Sequence, residues 1–171
     1  MPKPVYVLDT SQLSILCRFP LKGTPFIYEI TPVVTILIPE SVIIEARKAT
    51  STIAQVASPL VKQGIIESRP APLTPKILDE YYGDELGEGE RGVIRLSIAT
   101  GLPCVLDDKD AFIVACRFGL RPLMFQDFVV RLVNEHGMKR ETGITVVMAT
   151  ARLFPSMFIA HTLHMLNEGV T

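Results

Sequence analysis

What most constrains this chain is a series of short apolar runs rich in β-branched residues, set between segments of helical character. Val5–Leu8, Val33–Ile38 and Pro103–Leu106 are almost without polar interruption, as strands buried on both faces must be. Ile65–Arg69 and Arg121–Met124 read as shorter strands. Gln12–Phe19 reads as a helix. Pro39 and Ser41 open another, which carries Glu45 and continues or re-forms through Val61 to a stop at Gly64. Pro75–Tyr82 is a modest helix, Gly87-Glu88-Gly89-Glu90 opens a strong one that stops at Gly101, and Asp110–Phe118 is closed by Gly119. Residues 20–32, with Gly23, Pro25 and Pro32, read as a loop. Strands alternating with helices imply right-handed crossovers, hence an α/β fold whose parallel sheet is covered on both faces. From Gln126 onward the pattern is helical only, broken near Gly137 and Pro155. Its Val146, Val147, Met148, Leu153, Met157, Phe158, Ile159 and Leu163 are too apolar to be solvated.

At 171 residues the chain suits one domain with a sizeable core, and its 48% hydrophobic content argues against disorder. Lys+Arg 17 against Asp+Glu 18 leaves a net charge of -1, which counts against a purely basic nucleic-acid clamp and is neutral toward an enzyme. Cys17, Cys104 and Cys116 stand apart without metal-type spacing and read as small core residues of a reducing compartment. The apolar run at the N-terminus is too short for a signal peptide, and no stretch reaches the length of a membrane span. The expected location is cytoplasmic, with no membrane.

Two of the strands end in aspartate: Leu8 is followed by Asp9, and Leu106 by Asp107-Asp108. In open parallel sheets ligands gather beyond the carboxyl ends of the strands, where strand order reverses. Glu45, one or two turns into the helix after the second strand, and Glu88 and Glu90, in the first turn of another helix, belong to the same predicted edge. Carboxylates crowded there stay ionised only if cations share the site, and oxygen-only ligands select Mg²⁺ or Mn²⁺. Such a centre suits phosphodiester hydrolysis by a metal-activated water. Singly, each acid has a plainer job, as a helix cap, a partner for the helix dipole or a solvated surface group. Their joint arrival at one edge is what favours a site.

As an ordered set these residues resemble the PIN-domain ribonucleases, in particular VapC-type toxins and the relatives with a Gly-Glu-Gly-Glu motif. Val-Leu-Asp9-Thr-Ser looks like the first motif of that family, Ile-Pro-Glu-Ser-Val-Ile-Ile-Glu45 the second, Gly-Glu88-Gly-Glu90 the third, and Leu-Asp107-Asp108-Lys-Asp110 the fourth. Glu90 stands where many relatives have aspartate. The resemblance spans roughly residues 4 to 125, so residues 1–125 are expected to form a PIN-like catalytic domain. Residues 126–171 are expected to form a helical extension packed on that domain or on a dimer partner. It implies a three-layer α/β/α fold with a parallel sheet of four to five strands. It also implies an Mg²⁺- or Mn²⁺-dependent endoribonuclease, with Asp9, Glu45, Glu90 and Asp108 as catalytic, metal-binding residues. Around them Thr10, Ser11, Glu88, Asp107 and Asp110 would give support. The implied partners are an RNA substrate, a small antitoxin protein and a second copy of the chain in a homodimer.

Arg47, Lys48, Arg91, Arg95 and Lys109 flank the acids and are candidates for holding RNA phosphates. His161 and His164 have a ligand-like spacing but no carboxylate or thiolate motif beside them, and read as ordinary helix residues. A haloacid-dehalogenase phosphatase would need a second aspartate where Ser11 stands, and no phosphate-cradling P-loop is present. The rival from another class is a catalytically silent PIN-like module that binds RNA or a protein partner.

Overall fold

The computed structural model describes residues 2–49 and 51–168; Met1, Thr50 and the last three residues of the 126–171 extension lie outside the described residues. In chain order, β1 (Val5–Leu8) leads directly into α1 (Thr10–Arg18). The stretch 20–32 is more than a loop: it holds an antiparallel pair, β2 (Pro20–Leu21) and β3 (Thr24–Pro25), then the one-turn α2 (Ile27–Ile30). Lys22 and Gly23, at φ 51 and 87, make the tight turn between those strands, since both positions of such a turn need φ above zero. Fully buried Phe26, Ile27 and Ile30 pin the segment to the core.

The main sheet then builds through β4 (Thr35–Pro39), α3 (Glu40–Ala49), α4 (Ser51–Lys62), β5 (Ile66–Arg69), α5 (Ile77–Tyr82), α6 (Glu88–Thr100), β6 (Cys104–Val105) and α7 (Lys109–Arg117). Three further helices, α8 (Phe125–Asn134), α9 (Arg140–Thr150) and α10 (Ser156–Glu168), complete the chain, with one 3₁₀ turn at Ala151–Leu153. The four strands are all parallel, in the order β5-β4-β1-β6. The chain steps outward from β1 to β4 to β5, then returns to the other side of β1 as β6. Strand order therefore reverses between β1 and β6. The expected strand at 121–124 shrinks to an isolated bridge between Leu123 and Val105, because α8 begins at Phe125, whose N–H goes to Asp107 and not to a ladder.

Consecutive residues Ile36, Leu37 and Ile38 are all 0% exposed, so both faces of the sheet are covered. The C-terminal helices join the same core. Phe128 of α8 packs edge-on against Tyr6 of β1 at 5.0 Å between ring centroids, and the Tyr6 hydroxyl meets His136 Nε2 at 2.6 Å. Val146, Val147, Ile159 and Leu166 are buried with them, while Met148, Leu153, Met157 and Phe158 stay exposed. Cys17 and Cys104 are core residues, but Cys116 is exposed on α7, whose other face supplies the buried Ala111, Val114 and Ala115. No helix among the described residues is long and apolar enough to cross a membrane.

Candidate carboxylate site

Asp9 directly follows β1 and is the N-cap of α1, its Oδ1 accepting the Gln12 N–H at 3.1 Å. Capping explains the residue type but not its depth. The side chain sits at the switch between β1 and β6, and the residue is only 2% exposed. Burial pushes its carboxyl up to about 7 against the lowering pull of the Gln12 N–H, and negative Asp107 and Glu90 add to the rise.

Glu45 reaches the same place from α3. The Thr10 hydroxyl donates to its Oε2 at 2.6 Å and the Gly89 N–H to its Oε1 at 2.7 Å, so one carboxylate ties α1 to the first turn of α6. Gly89 is required for this approach, because a Cβ there would stand 2.5 Å from Glu45 Oε2. Gly92, one turn on, lets α6 settle against β4 and α3, since its Cβ would meet Ser41 Oγ at 2.7 Å and Pro39 Cβ at 3.0 Å.

Glu90 turns back on its own helix start, its Oε2 accepting the Gly87 N–H at 2.8 Å in the reciprocal half of a capping box. Desolvation raises its pKa, and the neighbouring Asp108 and Glu45 raise it further. Asp9, Glu45 and Glu90 thus line one cleft of about 270 Å³, together with Thr10, Ser11 and Gly87.

The two aspartates after β6 divide the work. Asp107 accepts the Gln12 side-chain amide through Oδ2 and the Phe125 N–H through Oδ1, both at 2.8 Å. Desolvation raises its pKa despite those two donors. Asp108 is exposed and caps α7, its Oδ1 accepting the Asp110 and Ala111 N–H groups at 2.9 Å each. Asp110 is exposed in the first turn of α7. Glu88, also exposed, lines a different cleft with Glu40, Ser41 and Arg95, away from Asp9.

The basic candidates separate in the same way. Arg47, Lys48 and Lys109 are exposed. Arg91 and Arg95 are not phosphate-ready: their side chains are 17% and 9% exposed and both turn to Asp79 of α5. Arg91 also donates to the Gly83 and Leu86 carbonyls. They clamp α5 and the following turn onto α6. His161 and His164 are exposed on α10, and His164 lies 3.7 Å from Glu168.

Gln12 is the member that sequence reasoning missed. It is fully buried, its backbone N–H serves Asp9, its side-chain amide serves Asp107, and its Oε1 has no partner. The Asp9-to-Gln12 spacing of an N-cap and its N3 residue was the available signal.

Among the described residues no three His, Cys, Asp or Glu side chains already stand close enough together to hold a metal ion. In donor type and charge, however, the cleft fits a hard divalent cation: three carboxylates face it, and among the described residues no Lys or Arg lines it. The chain matches no protein-family model, and no curated protein matches it.

Proposed function

We propose that this chain is an Mg²⁺- or Mn²⁺-dependent endoribonuclease with a PIN-like three-layer α/β/α fold. The observation that carries this reading is the meeting of Asp9, Glu45 and Glu90, from three separate segments, on one cleft where strand order reverses. A bound Mg²⁺ or Mn²⁺, held by Asp9, Glu45, Glu90 and Asp108, would supply an acidified water and offset the charge that builds on the scissile phosphate.

The chain's own part is orientation. Thr10 and the Gly89 amide aim Glu45, the Gln12 amide proton aims Asp9, and Gly87 holds Glu90. Asp107, fixed by Gln12 and Phe125, keeps the β6 end registered against α1 and α8. In this reading the enzyme acts in a reducing cytoplasm. The family resemblance adds a toxin's partners: a small antitoxin and a second copy of the chain.

The test is cleavage of varied single-stranded and structured RNAs with each metal and with chelator. Asp9→Asn and Glu45→Gln should each lower the rate at least about 100-fold, at an unchanged fold by circular dichroism. A wild type as inert as both variants in every metal and on every RNA would sink the nuclease reading. It would leave the silent RNA- or protein-binding module, which the hydrogen bond already made by each Glu45 oxygen favours as the second reading.

A further inference from the structure

A second cleft, of about 370 Å³, opens beside the carboxylates, and Ser11 lies in the walls of both. Its rim is basic. Arg18 ends α1 and Arg152 sits in the 3₁₀ turn after α9; both are exposed. Among the described residues neither takes part in an ion pair. The acid lining this cleft is Asp107, turned toward Gln12 and the Phe125 N–H. Two arginines against one carboxylate leave the lining with an excess of positive charge.

Two of its wall residues, Phe19 and Phe154, are aromatic. The Arg152 guanidinium stands over the Phe19 ring, 5.7 Å from its centroid, which holds the charge in place. Phe154 is stacked on Phe125 at 6.0 Å and is equally fixed. Guanidinium forks match phosphate oxygens, and half-buried aromatic rings accept unpaired bases regardless of sequence. The volume lies at the low end of ligand pockets, roughly 300–1,000 Å³, which suits one nucleotide unit and not a duplex.

We propose that this cleft seats the single-stranded nucleotide next to the phosphate held at the carboxylates, with Arg18 and Arg152 on its phosphates and Phe154 against its base. The assignment rests on the nuclease reading of the adjoining cleft.

Two measurements on the full chain separate the two ideas. Binding of a short fluorescent single-stranded RNA is followed by anisotropy in chelator over a range of salt, and cleavage of the same RNA is followed in Mn²⁺. Arg18→Ala and Arg152→Ala should each weaken binding and flatten the log–log salt dependence by about 0.7. In cleavage they should raise KM more than they lower kcat, and Arg→Lys at either position should restore the salt slope. Asp9→Asn should bind as the wild type does and not cleave. Arg18→Ala, on an exposed last turn, keeps the test open if Arg152→Ala misfolds. Unchanged binding and salt slope in both Ala variants, with cleavage still lost in Asp9→Asn, would overturn the cleft and leave the nuclease. A wild type that binds through the two arginines yet never cleaves would overturn the nuclease alone. Preference for an acidic peptide over RNA, lost in the same variants, would also overturn the cleft assignment.

Discussion

Helix α6 borders two charged neighbourhoods that the fold treats in opposite ways. On one side Asp79 is bracketed by Arg91 and Arg95, and the Arg91 guanidinium also satisfies the carbonyls of the turn before the helix. On the other side Asp9, Glu45 and Glu90 share a cleft whose donors are neutral: a hydroxyl and backbone amides. The first group is compensated by charges from within the chain. In the second, burial and mutual repulsion push Asp9 and Glu90 toward their protonated forms. Charges that hold helices together are neutralised by the fold itself; those in the cleft meet no Lys or Arg among the described residues that line it.

The sharpest way to break this contrast is to remove the charge of Asp9. Its folded pKa of about 7 lies above the ordinary 3.8, so the folded chain holds that proton more tightly than the unfolded chain does. The stability this provides is complete below the unfolded value and is lost as pH climbs through about 7. In chelator, Asp9→Asn, which keeps a competent N-cap, should therefore gain stability over the wild type between pH 4 and pH 8, by roughly 3–4 kcal/mol. Denaturant midpoints measured across that range check it; a constant difference between the two proteins would show that the carboxyl is not buried at a cost.

Next in size is Gly89→Ala. The new Cβ would push the Glu45 carboxylate from its amide, a displacement cheap for the fold because a side-chain tip moves, but costly for the cleft. Activity should fall on the order of 100-fold, about 2.7 kcal/mol in transition-state terms. The thermal midpoint should hold or rise, since Ala suits a helix better than Gly. A large drop in midpoint instead would make Gly89 a packing residue and not a site residue.

The smallest effect belongs to the compensated side. Asp79→Ala leaves the buried Arg95 head without its partner, yet Asp79 itself is about half exposed to screening water. The expected loss is about 1–2 kcal/mol of stability, with the turnover of intact protein unchanged. Equal loss of turnover at full folding would merge the two neighbourhoods into one site.

Much of this was readable along the chain. The apolar runs at 5–8, 33–38 and 103–106 became β1, β4 and β6 within a few residues, and Gly101 ends α6 in the left-handed conformation at φ 70. Those signals are local: a strand covered on both faces must be apolar at every position, and a glycine stop needs only its own helix. The segment 20–32 was not readable, because two-residue strands and a single helical turn carry no periodicity and exist only because Phe26, Ile27 and Ile30 are buried by distant residues. In the fourth acidic motif the choice of Asp108 as metal ligand, with Asp107 in support, came from the family resemblance and not from the residues themselves. Asp107 turns inward to Gln12 while Asp108 caps α7, and nothing in two adjacent aspartates distinguishes them.

By itself, then, the sequence determined that short buried strands would end in acids at one edge of a parallel sheet, since burial and capping write themselves into neighbouring residues. Only the tertiary structure decided where the other charges went. Arg95 meets Asp79 across sixteen residues, Gln12 meets Asp107 across ninety-five, and Arg152 comes over the ring of Phe19. Such meetings depend on how crossovers and the C-terminal helices pack, and a side chain's local neighbours in the chain carry no record of them.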